Sequence, residues 1–143
     1  GDGPLKKKFE EYAEEKQINT AFTGRLPYHE MVGLLGMCDI AVNPITAGSA
    51  GSIINKVGDY AAAGLPVVNT QECSEYRELL DVYESGLNCK NNDSEDLAEK
   101  LLILIEDNDL RVKIGKNSRR LAEEKFDRSK TYKKIFKLLL TNI

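Results

Sequence analysis

The chain has 143 residues, and its 20 lysines and arginines against 23 aspartates and glutamates give a net charge of −3. This length suffices for one domain with a single core. No basic face interleaved with aromatic residues dominates the sequence, which argues against a nucleic-acid partner. Three widely spaced cysteines and a single histidine indicate neither a disulfide framework nor a zinc site, and no apolar run could span a bilayer, so we expect a cytoplasmic protein.

The first part of the chain predicts two helices and a short strand. Residues 5–16 have the charge and the apolar spacing of an amphipathic helix, and residues 20–23 predict a strand closed by Gly24. Pro27 opens a second helix, in whose first turn we expect a solvated His29. The apolar residues of this helix recur at helical spacing: Met31, Leu34, Leu35 and Met37.

A mostly apolar strand is predicted over residues 40–43, and Pro44 ends it. Cys38 precedes this strand and follows the apolar run of the second helix. We expect Cys38 to be a small core residue, with a reactive thiol as the alternative.

Small residues from 48 to 52 lead directly into the next predicted helix, which starts at Ser52. The first turn of a helix has unpaired N–H groups and the positive end of a dipole, and small side chains let a phosphate approach them. One stripe of this helix carries Ser52, Lys56, Asp59 and Ala63, and the other side carries Ile53, Ile54, Val57 and Ala61. This arrangement suits a nucleoside diphosphate, and the alternative is an ordinary surface pair of Lys56 with Asp59.

The second half of the chain continues the alternation of helix and strand. Gly64 is placed to end the third helix in the left-handed conformation, and residues 65–69 predict a buried strand. A short helix over residues 76–80 precedes a weak strand over 86–89. Asp93 caps a helix whose expected apolar stripe is Leu97, Leu101, Leu102 and Ile105, and two more helices are predicted, over 109–126 and 129–140.

Strands that are separated by helices pair in parallel through crossover connections. The pattern therefore predicts an α/β fold with a doubly wound parallel sheet in three layers, followed by C-terminal helices. Ligands of such sheets bind beyond the carboxyl ends of the strands, where we expect Gly24, Arg25 and residues 44–52.

The order and spacing of these pieces resemble the C-terminal, donor-binding domain of retaining GT-B glycosyltransferases of the group-1, or family-4, type. The resemblance covers nearly the whole chain. It rests on Gly-Asp-Gly-Pro at 1–4, Phe-Thr-Gly-Arg at 22–25, Cys-Asp-Ile-Ala-Val-Asn-Pro at 38–44, Asp-Tyr-Ala-Ala-Ala-Gly-Leu-Pro-Val-Val at 59–68, Glu78, and Gly-Leu at 86–87. Asn-Lys-x-x-Asp-Tyr at 55–60 resembles enzymes of bacterial capsule, lipopolysaccharide and exopolysaccharide assembly.

The resemblance implies a nucleotide-sugar site in the central segment. Asp59 matches the second acid of the family's E-x7-E pattern, which binds the ribose hydroxyls. The backbone around Gly51, Ser52 and Ile53 matches the loop that holds the diphosphate, with Lys56 as a nearby cation.

The resemblance also implies a nucleobase loop at Gly24, Arg25 and Leu26. There Arg25 stacks on a ring or approaches the phosphate. The alternative for Arg25 is a solvated loop cation.

The sequence departs from the family pattern at three places. Gly51, eight residues before Asp59, stands where the family's first acid contacts the donor sugar. Gln-Glu-Cys at 71–73 replaces a Gly-Gly pair, whereas Glu78 matches the acid that follows this loop, or caps the short helix. The family's arginine and lysine that neutralise the leaving diphosphate precede the Gly-x-Gly-Pro loop, at which this sequence begins.

The resemblance implies the donor half of an enzyme that transfers a sugar from a UDP- or GDP-sugar to a glycan or lipid-linked acceptor in surface polysaccharide assembly. We expect residues 1–143 to form one domain that is inactive alone, has no catalytic residue of its own, needs no metal or further cofactor, and works with an N-terminal acceptor-binding domain. The full-length enzyme would associate peripherally with the inner face of a membrane. The last helix resembles the one that packs on the acceptor domain, so we expect partial exposure of Ile135, Leu138, Leu139 and Leu140.

Two other functions stay open. A nucleotide-sugar epimerase or a phosphorylase of the same GT-B architecture is the near alternative, and a non-catalytic α/β nucleotide-binding module is the distant one. A phosphoacceptor receiver domain would need an acidic pair after its first strand and an aspartate at the end of its third, and the sequence has neither.

Overall fold

A computed structural model describes residues 2–49 and 51–140, apart from the side chain of residue 134. The chain divides into two compact units, Gly1–Leu34 and Leu35–Ile143. The first unit contains α1 (Lys6–Glu15) and all but the last residue of α2 (Tyr28–Leu35).

Residues 20–23 were predicted to be a strand, and this prediction is wrong, because the structure has no strand there. A strand requires a neighbour for its backbone N–H and C=O groups. In the described part of the first unit, the polar groups of this segment bond locally instead. Thr20 Oγ1 donates to the Ile18 carbonyl at 3.5 Å, and Thr23 Oγ1 donates to the Gly24 carbonyl at 3.4 Å.

The second unit contains a three-stranded parallel sheet in the order β1-β2-β3. The strands are β1 (Ala41–Asn43), β2 (Val67–Asn69) and β3 (Gly86–Asn88). Ala41 pairs with Val67, and Val67 pairs with Gly86, so the three strands are in register along their whole length. The predicted α/β fold with a parallel sheet is confirmed, and the residues that the structure describes form three of the four predicted strands.

Helices connect and follow the strands. The second unit contains α3 (Asn55–Ala62), α4 (Ser74–Tyr83), α5 (Ser94–Glu106), α6 (Asn108–Leu121), a π-helical turn (Ala122–Phe126) and α7 (Arg128–Leu140). The predicted cap at Asp93 is confirmed, and Asp107, which was not predicted as a cap, caps α6. Asp93 Oδ1 accepts from the Asp96 N–H at 2.9 Å, and Asp107 Oδ1 accepts from the Leu110 N–H at 2.8 Å at the start of α6.

Two separate cores lie on the two faces of the sheet, because neighbouring side chains of a strand point to opposite faces. Val67 belongs to a cluster with residues of α3 and α4, namely Val57, Tyr76 and Leu80, together with Ala41, Leu65 and Cys73. Val68 belongs to a cluster with Cys89, Leu104 of α5 and Ile114 of α6. Each fully buried side chain of this size stabilises the fold by about 1.5–3 kcal/mol. The sheet is therefore the middle of three layers.

The apolar face of α5 differs in part from the predicted stripe. Leu104 is fully buried, whereas Leu102 and Ile105 are more than half exposed. Leu97, Leu101 and Leu104 lie at i, i+4 and i+7, which is the face that packs on the sheet.

The prediction for Cys38 is also wrong, because Cys38 is exposed. The second helix ends at Leu35, so Cys38 lies in the connection between this helix and β1 and is not part of the helix. His29 is exposed, as expected.

The apolar residues of α7 are exposed, as predicted from the sequence. Ile135, Leu138, Leu139 and Leu140 are between 51% and 74% exposed. Within the described residues, no helix has the length and apolar character needed to cross a membrane.

Two glycines allow close backbone approaches in the second unit. A Cβ atom on Gly86 would collide with the carbonyl oxygen of Val67 and lie 3.0 Å from Leu80 Cδ2. A Cβ atom on Gly115 of α6 would lie 2.6 Å from the carbonyl oxygen of Gly64, which ends α3 with φ +70° as predicted. At both places the contact partner is backbone, which cannot rotate away.

We expect Gly86→Ala to lower the free energy of unfolding by about 1–3 kcal/mol, because the new methyl group must push β3 away from β2 or from α4. Chemical denaturation monitored by circular dichroism measures the change. Gly33→Ala in α2 is the matched control, because nothing lies within 4 Å of its Cβ position. The control should leave the stability unchanged or raise it by up to about 1 kcal/mol. Equal stability of Gly86→Ala and the wild type would contradict the close approach.

Candidate functional site

Each of the three strands ends in an asparagine, and the parallel register aligns Asn43 with Asn69 and Asn69 with Asn88. Asn43 Nδ2 donates to Asn69 Oδ1 at 2.8 Å, and Asn69 Nδ2 donates to Asn88 Oδ1 at 3.0 Å. Asn43 and Asn69 are fully buried. Buried amides require partners, and here they supply partners to one another across the carboxyl edge of the sheet.

This row continues at both ends. At β3, Asn88 Nδ2 donates to Asp81 Oδ1 at 2.8 Å and to the Arg77 carbonyl at 3.1 Å. At β1, Asn43 Nδ2 also donates to Gln71 Oε1 at 3.3 Å. We call Asn88, Asn69, Asn43 and Gln71 the amide chain. Within the described structure, Asn43 Oδ1 is buried and has no hydrogen-bond partner.

Gln71 extends the amide chain to the segment in front of α3. Its Nε2 donates to the carbonyl oxygen of Ser52 at 2.7 Å. Gln71 is fully buried, and its backbone N–H donates to Asn69 Oδ1 at 3.1 Å. The loop before α3 is therefore tied to the ends of β1 and β2.

A second set of bonds joins the loops that follow the three strands. Asn91, which follows β3, donates through Nδ2 to the carbonyls of Ile45 and Thr70, each at 2.7 Å. Its Oδ1 accepts from the Ala47 N–H at 2.8 Å. Thr70 Oγ1 accepts from the Ile45 N–H at 2.8 Å. The side chains of Asn91 and Thr70 thus join the loops at the carboxyl edge of the sheet.

The third helix begins later than predicted. It was expected from Ser52, but α3 starts at Asn55, and Ile54 before it is extended, with φ −90° and ψ 148°. In a helix that started at Ser52, the Ser52 carbonyl would accept from the Lys56 N–H four residues on. The Ser52 carbonyl accepts from Gln71 Nε2, and the extended backbone of Ile54 leaves Ser52 and Ile53 in the loop.

The start of α3 presents unbonded backbone donors. Ile54, the N-cap residue, makes no capping bond through its side chain. The N–H groups of Ile53, Asn55 and Lys56 have no hydrogen-bond partner among the residues that the structure describes. Such donors, together with the helix dipole, favour an anion.

Lys56 and Asp59 lie three residues apart in α3, so they share a face of the helix, as the spacing predicted. Both side chains are partly buried. Burial lowers the pKa of Lys56, and its ammonium forms no ion pair with any carboxylate that the structure describes. The opposite face, with Val57 and Ala61, is buried in the core as predicted.

Gly51 and Ser52 are exposed in the loop and Ile53 is partly buried. The structure thus places five of the eight candidate residues, Gly51, Ser52, Ile53, Lys56 and Asp59, in one loop-and-helix segment of the second unit.

The other three candidate residues, Gly24, Arg25 and Leu26, belong to the first unit. Gly24 has φ +66°, and a Cβ atom there would lie 2.9 Å from Asp2 Oδ1. The Arg25 N–H donates to Asp2 Oδ2 at 3.0 Å, and Asp2 also pairs with Lys6 at 3.5 Å. Asp2 thus holds the turn at Gly24 and Arg25, a role that the sequence analysis did not assign.

The groups of the central segment, residues 51–59, are suited to binding a ligand. The segment offers backbone N–H groups, one ammonium and one carboxylate. Glu78 lies in the middle of α4 and is exposed, so it does not cap that helix. Among the described residues, no group of three or more histidine, cysteine, aspartate or glutamate side chains could hold a metal ion.

The sequence analysis missed the amide chain and Asn91. A signal for the asparagines was present, because each of the three apolar strand segments ends in Asn: Asn43, Asn69 and Asn88. Parallel strands that end in the same amide residue predict an amide row at the carboxyl edge. The contact of Gln71 with Ser52 has no such local signal.

The family model described as glycosyl transferases group 1 matches residues 1–121 of this chain. The uncharacterized glycosyltransferase MJ1178 of Methanocaldococcus jannaschii is 27% identical over 125 residues, which are 87% of this chain and 34% of that protein. A second uncharacterized glycosyltransferase of the same organism, MJ1069, is 26% identical over 122 residues, which are 83% of this chain and 30% of that protein. The chain spans about a third of the length of these relatives.

Solved structures share the fold. The C-terminal domain of LpcC, a glycosyl transferase group 1 family protein from Francisella tularensis, has a TM-score of 0.71 and 24% identity, over 87% of this chain and 63% of that chain. Sucrose-phosphate synthase from Thermosynechococcus elongatus has a TM-score of 0.80 and 16% identity, over 100% of this chain and 38% of that chain. WaaG, a glycosyltransferase involved in lipopolysaccharide biosynthesis, has a TM-score of 0.67 and 25% identity, over 83% of this chain and 31% of that chain.

The parallel three-layer fold agrees with these structures, and the family model covers well over half of the sequence. On this basis the chain belongs to the glycosyl transferases group 1 family.

Proposed function

We propose that this chain is the donor-nucleotide half of a glycosyltransferase that transfers a sugar from a UDP- or GDP-sugar to a glycan or lipid-linked acceptor. The observation that carries the proposal is Lys56. Its ammonium is partly buried without an ion-pair partner among the described residues, and it lies in the first turn of α3 beside unbonded N–H groups. An uncompensated buried charge costs free energy, and a bound anion would offset that cost.

The diphosphate of the donor is the anion that we assign to this place. Gly51 and Ser52 carry no side chain larger than a hydroxymethyl group, so a phosphate can approach the backbone of the loop. The N–H groups of Ile53, Asn55 and Lys56 are the proposed donors. They would act on the bridging and terminal phosphate oxygens together with the Lys56 ammonium.

Asp59 is the proposed partner of the ribose. It lies about one turn below Lys56 on the same face of α3, which is about 5 Å along the helix. A carboxylate accepts hydrogen bonds from two vicinal hydroxyls at once. Gly51 has no side chain for the donor sugar, so the sugar contacts would come from other residues.

The other parts of the proposed function rest on the resemblance of this sequence to the family. Gly24, Arg25 and Leu26 would border the nucleobase, and an N-terminal domain would hold the acceptor. Retaining transfer requires the leaving diphosphate to be stabilised as its bond to the sugar breaks, and the N–H groups and Lys56 would share this task with the arginine and lysine that the family places before the Gly-x-Gly-Pro loop. WaaG is involved in lipopolysaccharide biosynthesis, which supports a role in surface polysaccharide assembly. For such a role we propose that the full-length enzyme works at the cytoplasmic face of a membrane.

We expect UDP or GDP to shift the amide resonances of residues 24–26 and 51–59 in an NMR titration of the ¹⁵N-labelled chain. Asp59→Ala should weaken binding about ten- to a hundredfold, since it removes hydrogen bonds to a charged acceptor. Asp109→Ala is the control, because Asp109 is an exposed residue of α6. If no nucleotide moved these resonances at millimolar concentration, the donor-binding function would be rejected for this chain.

A second prediction concerns the charge of Lys56. Burial lowers the pKa of its ammonium in the free chain, and a nearby diphosphate should raise that pKa because an anion favours the charged form. Nζ-detected NMR titrations with and without UDP measure the change, and uridine, which has no phosphate, should leave the pKa of Lys56 where it is.

The lowered pKa of Lys56 also determines how the contribution of this residue to stability changes with pH. The native pKa lies below the unfolded one, so the unfolded chain binds more protons between the two values. The contribution of Lys56 to stability therefore rises with pH through that window, and UDP should reduce the rise. A pKa of Lys56 that UDP leaves unchanged would argue against a phosphate beside it.

A further inference from the structure

Gln71 is held from several sides at the carboxyl edge of the sheet. Its N–H donates to Asn69 Oδ1 at 3.1 Å, and its carbonyl accepts from Asn69 Nδ2 at 3.1 Å. Arg77 Nη1 also donates to this carbonyl, at 3.3 Å. Its side-chain Oε1 accepts from Asn43 Nδ2 at 3.3 Å. With its backbone fixed on β2 and its amide fixed on β1, Gln71 reaches the Ser52 carbonyl from a rigid base.

The bond to Ser52 fixes the orientation of one peptide plane. In a trans peptide the C=O and the N–H point in opposite directions. The Ser52 carbonyl points to Gln71 Nε2 at 2.7 Å, so the N–H of Ile53, in the same plane, points away from Gln71. This N–H has no hydrogen-bond partner in the described part of the chain.

We propose that Gln71 is a positioning residue for donor binding: its side-chain amide holds the peptide between Ser52 and Ile53 so that the Ile53 N–H faces the diphosphate. The inference rests on the proposed function, because it assigns a residue that acts on the same site. Gln71 acts through Ser52 and does not touch the donor. Without this bond the loop would have to be ordered on binding, which weakens affinity.

The sequence context supports a specific role for this side chain. Gln71 is the first residue of the Gln-Glu-Cys segment that stands in place of the family's Gly-Gly pair. A glycine has no side chain with which to reach Ser52.

The test compares Gln71→Met with Asn88→Ala in this chain. Methionine is unbranched and close to glutamine in volume, so Gln71→Met removes the amide with little change in packing. Asn88→Ala interrupts the amide chain at its other end, where Asn88 contacts Asp81 and the Arg77 carbonyl. Backbone ¹⁵N relaxation reports the order of residues 52–54 in the free chain, and titration with UDP and GDP reports affinity.

Gln71→Met should lower the heteronuclear NOE of residues 52–54 and weaken nucleotide binding about tenfold, whereas Asn88→Ala should leave both at wild-type values. The proposal is overturned if Gln71→Met leaves both unchanged. It is also overturned if Asn88→Ala has the same effects at an equal loss of thermal stability, which would indicate general softening of the sheet edge. If the wild type binds no nucleotide, the proposed function fails, and the NOE of free Gln71→Met still decides whether Gln71 holds the peptide.

Discussion

The carboxyl edge of the sheet depends on one constraint, which is that a buried amide must find a hydrogen-bond partner. Asn43, Asn69 and Gln71 are fully buried, and they meet this requirement mainly through one another. Leaving one such group unpaired costs about 1–3 kcal/mol. The ends of β1 and β2 and the loop before α3 are therefore fixed together.

Local signals in the sequence predicted most of the elements of the second unit. Two apolar strand segments, the glycine that ends α3 and the aspartate that caps α5 are each encoded by a few neighbouring residues. The predicted strand over residues 20–23 shows the limit of such signals. An apolar and β-branched segment becomes a strand only beside a partner, and the partner is not visible in the segment itself.

The candidate site was predictable in part for the same reason. The shared face of Lys56 and Asp59 follows from helical spacing, and the structure reproduces it. The bond between Gln71 and Ser52 was not predictable, because these residues are 19 positions apart in sequence, and α3 starts three residues later than predicted, after the extended Ile54. The exposure of Cys38 likewise depends on where α2 ends, and helix ends are the least certain part of a periodic pattern.

The amide chain also has a polarity. A carboxylate and a carbonyl can only accept, so Asp81 and the backbone of Arg77 turn the NH₂ group of Asn88 toward themselves and its oxygen toward Asn69. At the other end of the amide chain, the Ser52 carbonyl can also only accept, so it turns the NH₂ group of Gln71 toward itself without help from Asn88. Asp81 is an exposed residue of α4 beside the opposite edge strand of the sheet. The two ends of the amide chain are thus oriented independently, by a surface carboxylate beside β3 and by a backbone carbonyl in the loop before α3.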